Sequence, residues 1–287
     1  MATLREVKKR IKTVVSTRRI TSAMEMVAAS KLRRAQQKIE QTRPYSQKMD
    51  EMLQHLAAGS SGDISHPFFE QREPKKKTLV LVTSDRGLCG SFNSNVIRRA
   101  VNWLREEGLP EVEIVTVGKK GNDLLKSRQW EIINNFSDWG GQLNYSKAQD
   151  LVDFLTQRFV SGETDSIHLV YTQFISTVKY KIVIEPYLPL TRPESGEGAG
   201  MRSEYIFEPT PESIYESLMP SYALTKMVTV LVDSFAAEHG SRMVAMGNAT
   251  SNAGEMVDDL TLLYNKTRQA QITKELLEVI SGADALK

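Results

Sequence analysis

The chain has 287 residues, 40% of them hydrophobic and 25% charged, a composition ordinary for a soluble protein and a length that suits two domains or one domain plus an elongated element. It holds no run of ~18 apolar residues and no charged-then-apolar leader, so neither a membrane span nor a secretory signal is expected. Cys89 is the one cysteine, which excludes an internal disulfide and a cysteine-built zinc cage; His55, His66, His168 and His239 lack metal-ligand spacing and read as surface or satisfied histidines.

The formal net charge of +2 hides an asymmetry. Residues 1–48 carry thirteen Lys and Arg against three Glu, a net +10, whereas residues 204–287 carry twelve acids against six bases, a net −6. The two ends are electrostatically complementary.

Taken in order, the chain opens with a long helix over 1–58. Thr3 can cap it, and Leu4, Val7, Ile11 and Val14 keep a three-four seam that Leu32, Ala35 and Ile39 resume. Between them, Ile20, Ala23, Met24, Met26, Val27, Ala28 and Ala29 spread round most of the circumference. That belt is either a broad core face or a segment enclosed by other subunits. The helix either runs through Pro44 with a kink or restarts there, and reaches Leu56 before Ala57 to Gly62 end it. A linker occupies 59–77.

Residues 78–190 change period. Apolar β-rich runs at Thr78–Asp85, Glu111–Gly118 and Trp130–Phe136 alternate with helical stretches at Asn93–Glu107, Lys119–Ser127 and Ser146–Val160. Two further strands, Ser166–Phe174 and Lys179–Leu188, leave no room for a helix between them. The pattern predicts a doubly wound, mostly parallel sheet with an antiparallel hairpin at or near its edge.

The segment Ser84–Asn95, SDRGLCGSFNSN, follows the first strand, where such folds bind phosphates and where a thiol such as Cys89 can be activated. It matches neither G-x-G-x-x-G nor G-x-x-x-x-G-K-[ST], and no patterned histidine supplies a base. Its other reading is a tight turn with a small buried thiol. Residues 191–208 form a Gly- and Glu-rich loop and a return segment, with Pro209 and Pro211 just ahead of the last helix.

That helix, over 209–287, keeps Met256, Leu260, Leu263, Ile272, Leu276, Val279 and Ala283 at three-four spacing. At about 1.5 Å per residue it would run roughly 100 Å, longer than a globular domain is wide, so it needs a partner. The basic first helix can supply one for part of its length.

Four stretches carry a resemblance: ITSAMEMVAASKLRRAQ, TSDRGLCGSFNSN, SEYIFEPTPE, and the C-terminal RMVAM to LTLLYNKTRQAQITKELLEVISGA. In order and nearly end to end, they resemble the gamma subunit of F-type ATP synthases. The resemblance implies an α/β chain whose terminal helices wind into a long antiparallel coiled coil, with an inserted Rossmann-like domain that binds no nucleotide. It implies a rotary shaft inside a ring of alpha and beta subunits, with a foot against epsilon and the membrane c ring, and no catalytic site or cofactor of its own. By motif, Met24, Arg18, Arg19, Arg242, Arg268 and Gln269 would face beta, and Tyr205 and Glu208 the c ring or epsilon. Lys31 and Arg33 lie beside the same acidic surface of beta in this reading. A single cysteine rules out the redox switch of chloroplast members, and the start of the sequence near Met1 suggests the cytoplasmic face of a bacterial inner membrane rather than an organelle.

Two other classes compete. One is an α/β nucleotide-binding or thiol enzyme built on Ser84–Asn95. The other is a coiled-coil nucleic-acid-binding protein that uses its basic first helix as a phosphate-contacting arm.

Overall fold

The computed structural model describes residues 3–59, 66–73, 75–107, 112–177, 179–190 and 211–284. The elements in chain order are α1 (Leu4–Gly59), β1 (Lys77–Val82), α2 (Phe92–Glu107), β2 (Val112–Val117), α3 (Lys119–Ser127), β3 (Ile132–Phe136), α4 (Tyr145–Val160), β4 (Ser166–Phe174), β5 (Tyr180–Leu188) and α5 (Pro211–Asp284). The chain divides into two compact units, one of residues 29–241 and one of residues 1–28 with 242–287. Both long helices contribute to both units.

In the larger unit the five strands lie in the order β3-β2-β1-β4-β5. β1 is parallel to β2 and β4, β2 is parallel to β3, and β5 runs antiparallel to β4 at the edge, as the missing crossover helix predicts. Alternation along β1 then sorts the core. Leu79 and Leu81, with Ile114 and Val170, face α2 and α3 through Val96, Ile97, Ala100, Leu104 and Leu125. Val80 and Val82 point the other way, to Leu151 and Leu155 of α4, Met219 and Met227 of α5, and Leu53 and Leu56 of α1. The sheet therefore has helices on both faces, which is why β1 is apolar and fully buried on both sides from Leu79 to Val82. Tyr187, fully buried, donates from its hydroxyl to the carbonyl of Ala223 at 3.0 Å and ties β5 to α5; burial raises its pKa well above the usual phenol range.

Local chemistry sets the helix ends. Thr3 and Glu6 form a reciprocal capping box: the Glu6 carboxylate accepts from the Thr3 N–H at 2.9 Å, and the Thr3 hydroxyl accepts from the Glu6 N–H at 3.3 Å. Asn144 caps α4 by accepting from the Lys147 N–H at 3.2 Å. Pro44 lies inside a continuous α1 and Pro220 inside a continuous α5, whereas Pro211 takes the first helical position, where its missing N–H has no intrahelical partner to lose.

In the smaller unit α1 and α5 pair antiparallel. The Thr250 hydroxyl donates to that of Thr21 at 2.8 Å; Glu25 lies over Gly247, and the Arg18 guanidinium over Gly254. The two glycines are one heptad apart and leave room for long polar side chains across the seam. A Cβ on Gly254 would sit 3.5 Å from the Arg18 guanidinium carbon, an ordinary contact. Gly254→Ala should therefore stabilise this helix pair by about 0.5–1 kcal/mol through helix propensity alone. A rise in the thermal midpoint checks it, and a fall would mean that Arg18 cannot shift.

Candidate partner-binding surfaces

The first candidate, Ser84–Asn95, sits at the carboxyl end of β1, beside the point where the strand order reverses and open α/β sheets bind ligands. Its polar groups are spent on the turn itself. Asn93 Oδ1 accepts from the Ser84 N–H at 3.0 Å, Asn93 Nδ2 donates to Ser84 Oγ at 2.8 Å, and Ser84 Oγ donates to the Arg86 carbonyl at 2.6 Å. The Asp85 carboxylate accepts from the N–H groups of Asp138 and Gly140, so an acid already occupies donors that a phosphate would use.

The crevice is filled as well. Cys89 is buried with Phe92 against Ala237 of α5, and Asn93 Nδ2 reaches its sulfur at 3.3 Å. His239 Nε2 lies 2.8 Å from the Gly141 carbonyl, and Val230–Gly240, a full-circumference buried stretch of α5, crosses this edge. The left-handed residues of the turn are Leu88 and Gly90, so one of the reversals expected of glycine falls on a leucine. The structure gives the enzyme reading no support. His66 likewise has a structural role, its Nδ1 accepting from the Phe68 N–H, and His168 stacks beside Trp103.

The second candidate surface is the smaller unit. On α1, Ile20, Met26 and Val27 are exposed, Met26 by 66%, while Met24 and Ala29 are half-buried and Ala28 is buried. Only part of the apolar belt is therefore covered within the chain. On α5, Met256, Leu263, Ile272, Leu276 and Val279 are exposed, so the predicted face carries no covering helix there. Leu262, Leu277 and Ile280 are exposed off that face, which makes the end of the helix apolar on several sides. The pairs Thr21–Thr250 and Arg18–Gly254 fix a register that brings Leu4 roughly level with Arg268. α1 begins at that level.

The sequence-predicted site residues spread along this helix pair and do not converge. Arg18, Arg19, Arg268 and Gln269 are exposed; Met24 and Arg242 are half-buried. Arg268 makes no hydrogen bond or ion pair among the described residues, and the Gln269 carbonyl accepts from the Thr273 hydroxyl at 3.0 Å. Tyr205 and Glu208 lie outside the described residues, as does the loop Arg192–Ser203. Sequence reasoning passed over Leu262, Leu277 and Ile280, although LTLLY and LLEVI show apolar residues at one-residue spacing. It also passed over Asp233, an acid set in the apolar run VLVDSFAA.

A family model described as ATP synthase matches residues 3–286. The chain is 42% identical over 287 residues to the ATP synthase gamma chain of Pelotomaculum thermopropionicum, covering all of both chains, and 44% identical over 287 residues to that of Flavobacterium psychrophilum, again covering both in full. Among solved structures it is similar to a chain of the Tetrahymena thermophila mitochondrial ATP synthase central stalk and c ring, with a TM-score of 0.60 and 27% identity over 80% of this chain and 99% of that one. Its fold is also that of a chain in the Euglena gracilis mitochondrial ATP synthase OSCP/F1/c-ring structure in rotational state 3, with a TM-score of 0.68 and 20% identity over 99% of this chain and 94% of that one. No described helix is long and apolar enough to cross a membrane.

Proposed function

The chain belongs to the ATP synthase gamma-chain family, and from that premise we propose how its surfaces work. It is the central-stalk rotor of an ATP synthase, with the alpha and beta subunits of the catalytic ring, epsilon and the membrane c ring as partners. The observation that carries the reading is the smaller unit, where helices with exposed apolar residues on several sides are built to be surrounded by other chains. Relatives matched over their full length, and a central-stalk chain at 27% identity, support it.

Two unequal antiparallel helices have no threefold symmetry, so each beta subunit around them meets a different face. Turning the shaft exchanges those contacts and with them the nucleotide affinities of the three sites. Coupling of this kind is reciprocal: rotation biases binding, and binding biases rotation. Met24, Arg18 and Arg19 on α1 and Arg242, Arg268 and Gln269 on α5 are the residues we place against beta, with Tyr205 and Glu208 against the c ring or epsilon. The chain performs no bond chemistry in this reading; it is peripheral to the membrane, on the cytoplasmic face of a bacterial inner membrane.

Tagged full-length chain should bring down alpha and beta subunits from its host in stoichiometric yield. Replacing Leu276 and Ile280 with Asp should lower that yield without shifting the thermal midpoint, since both side chains are exposed. A chain recovered alone would overturn the proposal.

A further inference from the structure

Asp233 lies on the inner part of α5, 8% exposed, and lines a cavity of about 150 Å³ in the larger unit. The rest of that lining is mostly neutral and polar: Thr42, Ser46 and Gln47 of α1, Gln173 of β4 and Thr229 of α5, with the Arg43 side chain at its rim. No hydrogen bond or ion pair reaches the Asp233 carboxyl among the described residues. A carboxyl so largely removed from water and given no hydrogen bond favours its protonated form, and the Arg43 guanidinium in the same lining offsets that preference only in part. A metal ion is disfavoured, since the Arg43 guanidinium already brings positive charge to this carboxyl.

We propose that this cavity is a proton-sensitive joint: uptake of one proton by the Asp233 carboxyl tightens the packing of α5 on α1 and on the β4–β5 hairpin, and its release loosens that packing. The charged and titratable groups around it come from each element packed there. Those that act on it are Arg43 on α1, Tyr171 on β4 and Glu185 on β5; Tyr222 and Lys226 of α5, with Asp50 of α1, gather around Glu185. Burial raises the Asp233 pKa to about 6; Arg43 works against the rise and Glu185 adds to it.

The sign follows from linkage. In water the carboxyl would titrate near ~4, so between about pH 4 and pH 6 the packed joint holds a proton that an opened joint has released. Packing is therefore favoured at the acid end and weakens as pH rises through about 6, with no further change above it.

Hydrogen exchange on the full chain, corrected for the intrinsic pH dependence of the amide, tests this. Protection of the amides in 229–240 should fall about tenfold between pH 5 and pH 7.5, its slope with pH dropping through a midpoint near 6 and levelling off above that. Asp233→Asn should hold the high protection at every pH, and Glu185→Gln should move the midpoint to lower pH by removing a like charge. A pH slope unchanged in Asp233→Asn, or a slope that follows sodium or potassium concentration rather than protons, overturns the proposal. If Asp233→Asn does not fold, Glu185→Gln decides, and an unmoved midpoint counts against it.

Discussion

Gly118→Ala should leave the chain unable to fold stably, a loss of about 4 kcal/mol or more against a typical total of ~5–15 kcal/mol. Gly118 sits between β2 and α3 at φ 90° and ψ 154°, a backbone region that only glycine occupies freely. A Cβ there would lie 2.3 Å from the Thr83 carbonyl oxygen and 2.8 Å from its carbon, and both are backbone atoms that cannot rotate aside. They are fixed from several directions. The Thr83 N–H donates to the Val117 carbonyl at 2.8 Å, the Thr83 hydroxyl accepts from the Gly121 N–H at 2.9 Å, and the Gly118 N–H donates to the Phe136 carbonyl at 2.8 Å. Relieving the overlap therefore means parting β1 from β2 at the centre of the sheet. Gly140→Ala is the control: its φ is 61°, but nothing lies within 4 Å of the added carbon, so only about 1 kcal/mol of backbone strain is expected. Urea unfolding of both variants gives the comparison, and equal midpoints would show that the approach at Gly118 relaxes freely.

Met24→Lys should cut ATP synthesis by at least about tenfold, ~1.4 kcal/mol of lost coupling, while leaving most of the hydrolysis rate. Met24 is half-buried on α1 next to the exposed Ile20, Met26 and Val27. A lysine stem covers similar apolar area and helix propensity hardly changes, so the fold should hold within about 0.5 kcal/mol. What changes is the face offered to a partner. In the proposed reading, where Met24 faces an acidic surface of beta, an ammonium there would add an ion pair that must break at each step, and a shaft held by it would transmit turning less faithfully. Membrane-reconstituted complex assayed in both directions separates the two effects. Equal loss of synthesis and hydrolysis would place Met24 in assembly or folding instead.

Some of this was legible in the residues because local pattern carries it. The apolar run at Thr78 to Thr83 read as a buried strand, and the strand-helix alternation that follows indicated a mostly parallel sheet with an antiparallel hairpin at or near its edge, whereas the strand order came from the structure. Segment divisions at 58, 78, 190 and 209 follow changes of period along the chain. The compact units at residues 28 and 241 follow packing, because the inner halves of α1 and α5 share a core with the sheet. Periodicity cannot report that, since an apolar seam reads alike whether a helix or a sheet covers it. Arg268 and Gln269 came from motif resemblance and from no physical signal, being exposed residues on a helix surface.

By itself the sequence determined the long C-terminal helix, its want of partners, and the complementary charge of the two ends. Only the tertiary structure decided how that helix divides its length. Val230–Gly240 is buried on every side across the carboxyl edge of the sheet, residues 246–254 meet α1, and past Arg268 the helix stands with Ile272, Leu276, Leu277, Val279 and Ile280 exposed. The physical reason is that burial belongs to the surfaces brought together, and the same three-four apolar spacing can be filled by a sheet, by one helix, or by partner subunits.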